Sequence, residues 1–250
     1  MTSIYNGLKA LLGFFTIFPT GMESLETVSQ YYFLCPLIGL LIGISAGFVG
    51  LFSQRFWPHV VVGFLVLSSI LILSGFHHFD GLLDFSDAVM VRGSSLRKTE
   101  VMHDMYTGAA AVAVGLIVFS VTGFSLGLLS DIQIIRVATL SEVVAKESMV
   151  LMAYRGNSPQ HEGMGKHMVE SMKNGHLRFI FSMALSGLIS FLLVGISFVY
   201  VFIVMALITE ILTIYANKVL GGVSGDVLGA TNEINRLISL LTWLACLSIN

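Results

Sequence analysis

Long apolar runs separated by short polar blocks dominate this chain of 250 residues. A helix that crosses a bilayer needs about 20 mostly apolar residues. The longest run, 179–217, would reach ~58 Å as one helix, about twice the hydrocarbon core, so we divide it near Gly195–Ser197. The pattern then predicts seven transmembrane helices, over 31–52, 59–76, 107–130, 134–154, the two halves of 179–217, and 233–249.

Two further features of the pattern refine this picture. The first 21 residues hold a short apolar stretch without a good small-residue cleavage site, which predicts a retained segment at the membrane interface. In the first span, Gly39, Gly43 and Gly47 are spaced four apart, and this spacing favours close helix packing.

The composition indicates a single membrane domain over 1–250. Apolar residues make up 55% of the chain and charged residues only 11%, against ~25% charged in an ordinary soluble domain. This excludes a soluble globular enzyme and a disordered chain. The net charge of −2 gives no basic field for nucleic acid. We therefore predict an all-α, polytopic helical bundle.

The basic residues predict how this bundle is oriented. Three connections, 91–106, 155–178 and the one after the sixth span, carry most of the Lys and Arg residues. Two crossings separate each connection from the next, so all three lie on one side, which the positive-inside rule makes cytoplasmic. The main polar blocks lie on that side too, so we predict a multi-pass protein of the cell (inner) membrane with a cytoplasmic active site.

The first polar block, 77–87, places three acids on one helical stripe. On a helix, Asp80, Asp84 and Asp87 lie within a narrow sector, with His77 close by and no Lys or Arg in the block. Three carboxylates at one membrane boundary repel each other. A divalent cation removes this cost, and Mg²⁺ prefers oxygen ligands completed by substrate phosphates. A solvated helix end and a proton or Na⁺ relay remain alternatives.

The second and third blocks add acids and glycines. Asp104 precedes a long apolar helix, where it serves either as an N-cap or in the site. The block 221–233 has glycines that suit a loop whose N–H groups approach phosphate oxygens, or simply a flexible turn. If Asp226 begins a helix, Glu233 lies on the same face.

Other polar residues are less specific. Glu142 and Lys146 are four apart within a span, so they either form a neutralised pair that holds helices together or belong to the site. His161 lies in a charged loop and is interpreted as a solvated residue, because no metal-ligand spacing surrounds it.

Taken in order, these blocks resemble those of the cobalamin synthase family, the integral-membrane adenosylcobinamide-GDP ribazoletransferases. The first block is similar to the family's H-x-D-G-L-x-D-x-x-D, and the third to its G-G-x-x-G-D-x-x-G-A followed by a Glu. The resemblance covers most of the chain, at 15–19, 36–43, 78–87, 102–108, 155–166 and 221–233.

The resemblance implies an activity and a set of residues. α-Ribazole or its 5′-phosphate is joined to adenosylcobinamide-GDP with release of GMP, the last assembly step of cobalamin biosynthesis, and Mg²⁺ is required. The implied partners are these substrates and the lipid bilayer, with a homo-oligomer possible. Asp80, Asp84 and Asp87 are expected to bind the metal. The candidate catalytic residues are Asp84, Asp104 and His78. The candidate substrate-binding residues are Arg97, Lys98, Lys146, Gly225, Asp226 and Glu233.

One departure from the family pattern concerns the phosphate-binding cation. The family commonly has a basic residue after the second-block Asp, where this chain has Met105 and Tyr106. Another residue must then bind the phosphate, and we expect it among His103, Arg92, Arg97 and Lys98.

Two other function classes account for part of the pattern. A CDP-alcohol phosphotransferase also uses an acid cluster on a helix, but its D-G-x-x-A-R pattern fails because Asp84 and Phe85 occupy the A-R positions. An ion-coupled transporter predicts acids near the midplane and inverted repeats, and neither is visible in the sequence.

Overall fold

The computed structural model describes residues 3–21 and 24–249, and within these ranges the chain is helical and has no strand. The all-α prediction is confirmed. Short 3₁₀ turns occur at Tyr32–Leu34 and Gly195–Ser197, and a π-helical turn at Ala216–Leu220. The α-helices are α1 Ile4–Phe15, α2 Leu25–Gln30, α3 Cys35–Ser53, α4 His59–Leu73, α5 His77–Met90, α6 Ser95–Met102, α7 Ala109–Gly127, α8 Ile132–Arg155, α9 Met164–Lys173, α10 His176–Val194, α11 Phe198–Tyr215 and α12 Gly225–Ile249.

Fewer segments qualify as apolar spans than the sequence predicted. In the described ranges three are long and apolar enough, Tyr32–Ser53, Ala109–Gly127 and His176–Leu220, and a fourth only if α4 and α5 count as one span. The prediction of about seven transmembrane helices is therefore not confirmed. The reasons are physical: α4 has only 15 residues and meets α5 at 94°, and α8 and α12 carry several charged side chains.

The division of the long run is confirmed, because α10 and α11 form an antiparallel hairpin. The first residue of α10, His176, contacts Tyr154 near the C-terminal end of α8. The segment after α11 returns to the same end, where the Asn217 side chain accepts a hydrogen bond from the backbone N–H of Asn157 (2.8 Å). Gly195, at φ +62°, supplies the left-handed residue at the turn.

α8 is the central helix of the bundle, and every residue from 137 to 150 is buried. The glycine row of α3 lies directly against it. A Cβ atom on Gly39 would lie 2.4 Å from the Glu142 carbonyl oxygen, and one on Gly43 would lie 2.4 Å from the Thr139 Cα. Only glycine permits this approach, so the close packing expected from the four-residue spacing is confirmed.

A second close approach brings the first and third polar blocks together. α5 crosses the beginning of α12 so closely that a Cβ atom on Gly81 would lie 2.9 Å from the Asp226 backbone. On the other side of the crossing, a Cβ atom on Gly229 would lie 3.1 Å from the His78 Cα. These glycines therefore bring Asp80 and Asp226, which are 146 positions apart in the sequence, onto facing helices.

α1 gives the N-terminal segment a regular structure. Ser3 caps the helix by accepting a hydrogen bond from the Asn6 N–H. Ala10, Leu11 and Phe15 are buried against the bundle, while Tyr5 on the opposite face is exposed. Its location at the membrane interface stays a prediction.

Candidate active site

The acids of α5 meet Asp226 at the α5–α12 crossing. Asp80 is exposed and Asp84 is partly buried. α5, with 14 residues and three acids, is not an apolar span by itself. Burial, together with the charges of Asp80, Asp226 and Asp87, raises the pKa of Asp84 to about 7. The predicted acidic stripe therefore exists as an electrostatic unit with excess negative charge.

Asp87 has a different role from its two neighbours. Its carboxylate accepts hydrogen bonds from the backbone N–H groups of Gly108 (2.6 Å) and Ala111 (3.0 Å). Both belong to the N-terminus of α7, whose first N–H groups lack partners within the helix. Asp87 thus caps α7 from a neighbouring helix, and the structure gives no support for its predicted role as a metal ligand.

Asp104 is exposed, and its carboxylate accepts only one hydrogen bond from the described residues, from the Tyr106 N–H (3.3 Å). The N-cap alternative fails, because the capping of α7 comes from Asp87. The neighbouring His103 lies nearer the acids: its Nε2 is 3.8 Å from the Asp226 carboxylate.

His161 also lies at this site, which the sequence analysis did not expect. Its ring centre is 5.0 Å from that of His103, in an edge-to-face arrangement. Burial, reinforced by the adjacent His103, lowers the pKa of His161. Two imidazoles from separate segments therefore stand beside Asp226, and no sequence spacing predicted this pairing.

Lys98, one of the residues expected to bind phosphate, has other partners in the structure. Lys98 is buried, and its ammonium group donates to the backbone carbonyls of Ala88, Val89 and Val91 at the C-terminus of α5. This is a C-cap, which neutralises the free carbonyls of the helix end. Arg97 is exposed and forms an ion pair with Glu100 (3.1 Å).

Lys146 and Glu233 lie in a sealed charge cluster between α8 and α12, which we call the α8–α12 cluster. The members of this cluster are Glu142, Lys146, Asn232, Glu233 and Arg236. Lys146 Nζ donates to Asn232 Oδ1 (2.8 Å) and lies 3.9 Å from Glu142. Arg236 pairs with both Glu142 and Glu233. All five residues are at most 2% exposed, so Lys146 and Glu233 hold helices together and do not face a ligand.

Arg236 was missed by the sequence analysis. The available signal was its spacing of three from Glu233, which places both side chains on one face of α12. The sequence did show Glu142 and Lys146 as a pair, and the helix-holding alternative for that pair is the one the structure supports.

The loop before α12 turns through two left-handed glycines, Gly221 at φ +82° and Gly222 at φ +142°. A Cβ atom on Gly222 would lie 2.7 Å from the Pro159 backbone. Ser224 then caps α12 by accepting a hydrogen bond from the Val227 N–H (3.3 Å). The glycines therefore shape a specific turn that presents Gly225 and Asp226 to the site.

A cavity of about 360 Å³ opens at this position. It is lined by α1, the Tyr32–Leu34 turn, α5, α8, α9 and α12. His77, His78 and Asp80 contribute from α5, and Gly225 and Asp226 from the start of α12. The exposed Asp80 lies at the rim, and the interior is lined mainly by apolar residues together with Tyr32 and His78.

The acids are compatible with Mg²⁺ but do not form a complete cage. Among the described residues no group of three or more His, Cys, Asp or Glu side chains is arranged to hold a metal ion. Mg²⁺ usually keeps several waters and binds through one or two carboxylates together with substrate phosphates. Asp80 and Asp84, whose mutual repulsion a cation would relieve, fit this mode.

Comparison with known proteins places the chain in a family. The family model described as cobalamin-5-phosphate synthase matches residues 7–244. The chain is 33% identical to an adenosylcobinamide-GDP ribazoletransferase of Sulfolobus acidocaldarius, an alignment that covers 94% of this chain and 91% of the relative. It is 31% identical to the protein of that name in Archaeoglobus fulgidus, over 93% of this chain and 94% of the relative. No solved structure matches the chain.

The matched region contains all the polar blocks and every residue that lines the cavity. The CDP-alcohol phosphotransferase and transporter alternatives are left without support. The chain belongs to the cobalamin-5-phosphate synthase family.

Proposed function

We propose that this protein transfers the cobinamide phosphate of adenosylcobinamide-GDP to α-ribazole or its 5′-phosphate, with release of GMP. The observation that carries the proposal is the cavity rim. There Asp80 and Asp226 line the opening, and His103 and His161 lie beside Asp226, in a chain of this family.

The reaction requires the negative charge on the phosphate oxygens to be stabilised. A hydroxyl of the ribazole ribose attacks the phosphorus that carries cobinamide, the bond to the GMP oxygen breaks, and GMP leaves. Such transfers depend mainly on positioning and charge stabilisation. Asp80 and Asp84 would hold Mg²⁺, which would neutralise negative charge on the diphosphate when bound.

The remaining roles follow from which side chains are free at the rim. The Asp226 carboxylate, whose pKa burial raises, accepts the proton of the attacking hydroxyl. His103 and His161 face the phosphates in place of the missing basic residue, because Lys98 and Lys146 are committed to structural contacts.

A cytoplasmic orientation is part of the proposal. The C-terminal ends of α8 and α11 and the N-terminal end of α10 lie together, as their contacts show. The segments at this end carry Arg155, Lys166, Lys173, Arg178 and Lys218. An excess of basic residues marks the cytoplasmic face of a membrane protein, and the apolar spans support placement in the cell membrane.

The test is direct. Purified protein in detergent or liposomes is incubated with adenosylcobinamide-GDP, α-ribazole and Mg²⁺, and GMP is measured by chromatography. We expect GMP and a cobalamin product in equal amounts, and neither product when EDTA replaces the metal. Absence of GMP in every lipid condition would overturn the proposed function.

A further inference from the structure

The cavity behind the acidic rim has a wall of unusual chemistry, which we call the apolar wall. It is formed by Phe14, Phe15, Met149, Met164 and Met168. The rings of Phe15 and His78 are nearly parallel, with centres 5.7 Å apart and an angle of 9°. Aromatic faces and polarizable thioethers favour a flat, weakly polar ligand.

The size of the cavity limits which part of the substrates enters. About 360 Å³ accommodates a small ligand, whereas a corrin macrocycle with its side chains is much larger. The two nucleoside portions, guanosine and ribazole, are the candidates. They differ in how many hydrogen-bonding groups they would carry into the cavity.

Guanine is a poor match for this wall. Its edges carry several donors and acceptors, and each one costs free energy if it is buried without a partner. The benzimidazole-type base of ribazole has one ring nitrogen that accepts a hydrogen bond, and its remaining edge is apolar. The apolar wall matches the benzimidazole-type base, whereas it would leave most hydrogen-bonding groups of guanine without partners.

The hydroxyl group of Tyr32 is a candidate donor for that single nitrogen. Tyr32 lines the cavity and is fully buried, and its hydroxyl group has no hydrogen-bond partner within the described part of the chain. His78, 4% exposed, also lines the cavity and has an unpartnered Nδ1 within the same ranges. Buried polar atoms of this kind are rare unless a ligand or water completes them.

We propose that the apolar wall is the binding site for the base of the ribazole substrate, with Tyr32 donating a hydrogen bond to its free ring nitrogen. This inference rests on the proposed function for the identity of the nucleoside. The ribose then lies toward the rim, where Asp80 and Asp226 stand. Guanosine and the corrin remain outside the cavity.

The first experiment fills the cavity. Met164 lines it but is 49% exposed, so the fold should tolerate Met164→Trp. Isothermal titration in detergent measures binding of α-ribazole alone and of GDP alone to the variant. We expect the Kd of α-ribazole to rise at least tenfold and that of GDP to change less than twofold. Met90→Trp, an exposed methionine on α5 away from the cavity, is the matched control.

The second experiment removes only the hydroxyl. Tyr32→Phe should weaken α-ribazole binding about threefold to tenfold, the range of a single hydrogen bond. It should leave binding of the corresponding indole riboside, which lacks the ring nitrogen, unchanged. A merely structural role for Tyr32 would weaken both ligands equally and would refute the assigned hydrogen bond.

The outcomes separate this inference from the proposed function. Wild-type GMP release together with unaltered α-ribazole affinity in Met164→Trp would overturn the inference alone. Weakened GDP binding in that variant would assign the wall to guanosine instead, which also overturns it. α-Ribazole binding that the variant abolishes, in a protein that never releases GMP, would support the binding site and overturn the proposed function.

Discussion

The α5 rim and the α8–α12 cluster both concentrate charged side chains, yet they differ in burial and in the balance of positive and negative charge. The cluster is sealed and formally neutral, with two carboxylates paired to two cations. At the rim, Asp80 is exposed, and burial together with the charges of Asp80, Asp226 and Asp87 raises the pKa of Asp84. Burying charge is tolerated only with compensation, so the cluster belongs to the architecture, and the uncompensated rim is where a cation and phosphates are expected to bind.

The largest effect should come from breaking the neutral cluster. Arg236→Met leaves Glu142 and Glu233 buried without their partner, and we expect a loss of about 3–5 kcal/mol in the free energy of unfolding. Thermal melting in detergent measures it. Adding Glu233→Gln should restore part of the stability, because it removes one stranded charge. A single variant as stable as wild type would contradict the architectural assignment.

Asp84→Asn tests the other side of the comparison. We expect Mg²⁺-dependent GMP release to fall ~100-fold or more, the scale of losing about 3 kcal/mol of transition-state stabilisation. Melting should be unchanged or slightly higher, since an acid that its neighbours repel is removed. Asp131→Asn, an exposed acid outside the site, is the control. Near-normal turnover by Asp84→Asn would refute the metal assignment.

Asp87→Ala sharpens the boundary between the two regions. Loss of its bonds to Gly108 and Ala111 should cost about 1–2 kcal/mol of stability, with a smaller loss of activity than in Asp84→Asn. Thermal melting measures the stability of the Asp87→Ala variant, and GMP release measures its activity. An Asp87 variant with wild-type melting and the full Asp84→Asn defect would restore the metal-ligand prediction.

Lys98→Met should have the smallest effect. The lost cap of α5 is expected to cost about 1 kcal/mol of stability. The KM for adenosylcobinamide-GDP should remain within twofold of wild type, because the ammonium group does not face the phosphates. A KM that rises tenfold without a change in melting would return Lys98 to the substrate site.

Lys98, Lys146 and Asp87 show where sequence reasoning stops. Asp87 lies in the first polar block, Lys98 lies near it and Lys146 lies within a span, and residue type together with the family resemblance suggested a ligand for each. The structure instead gives them helix carbonyls, a buried carboxylate and helix N–H groups as partners. His161 shows the opposite case, because its loop gave no signal and yet it lies beside His103.

By itself, the sequence determined the helical class, the hairpin break at Gly195–Ser197, the glycine-mediated packing of α3, the acidic stripe of α5 and the family. These depend on local composition and periodicity, which neighbouring residues carry. Tertiary structure alone decided which charges are paired and sealed, which histidines meet Asp226, and that a cavity with an apolar wall lies behind the acids. Those properties depend on contacts between distant segments, and a one-dimensional pattern does not encode which partner satisfies a given charge.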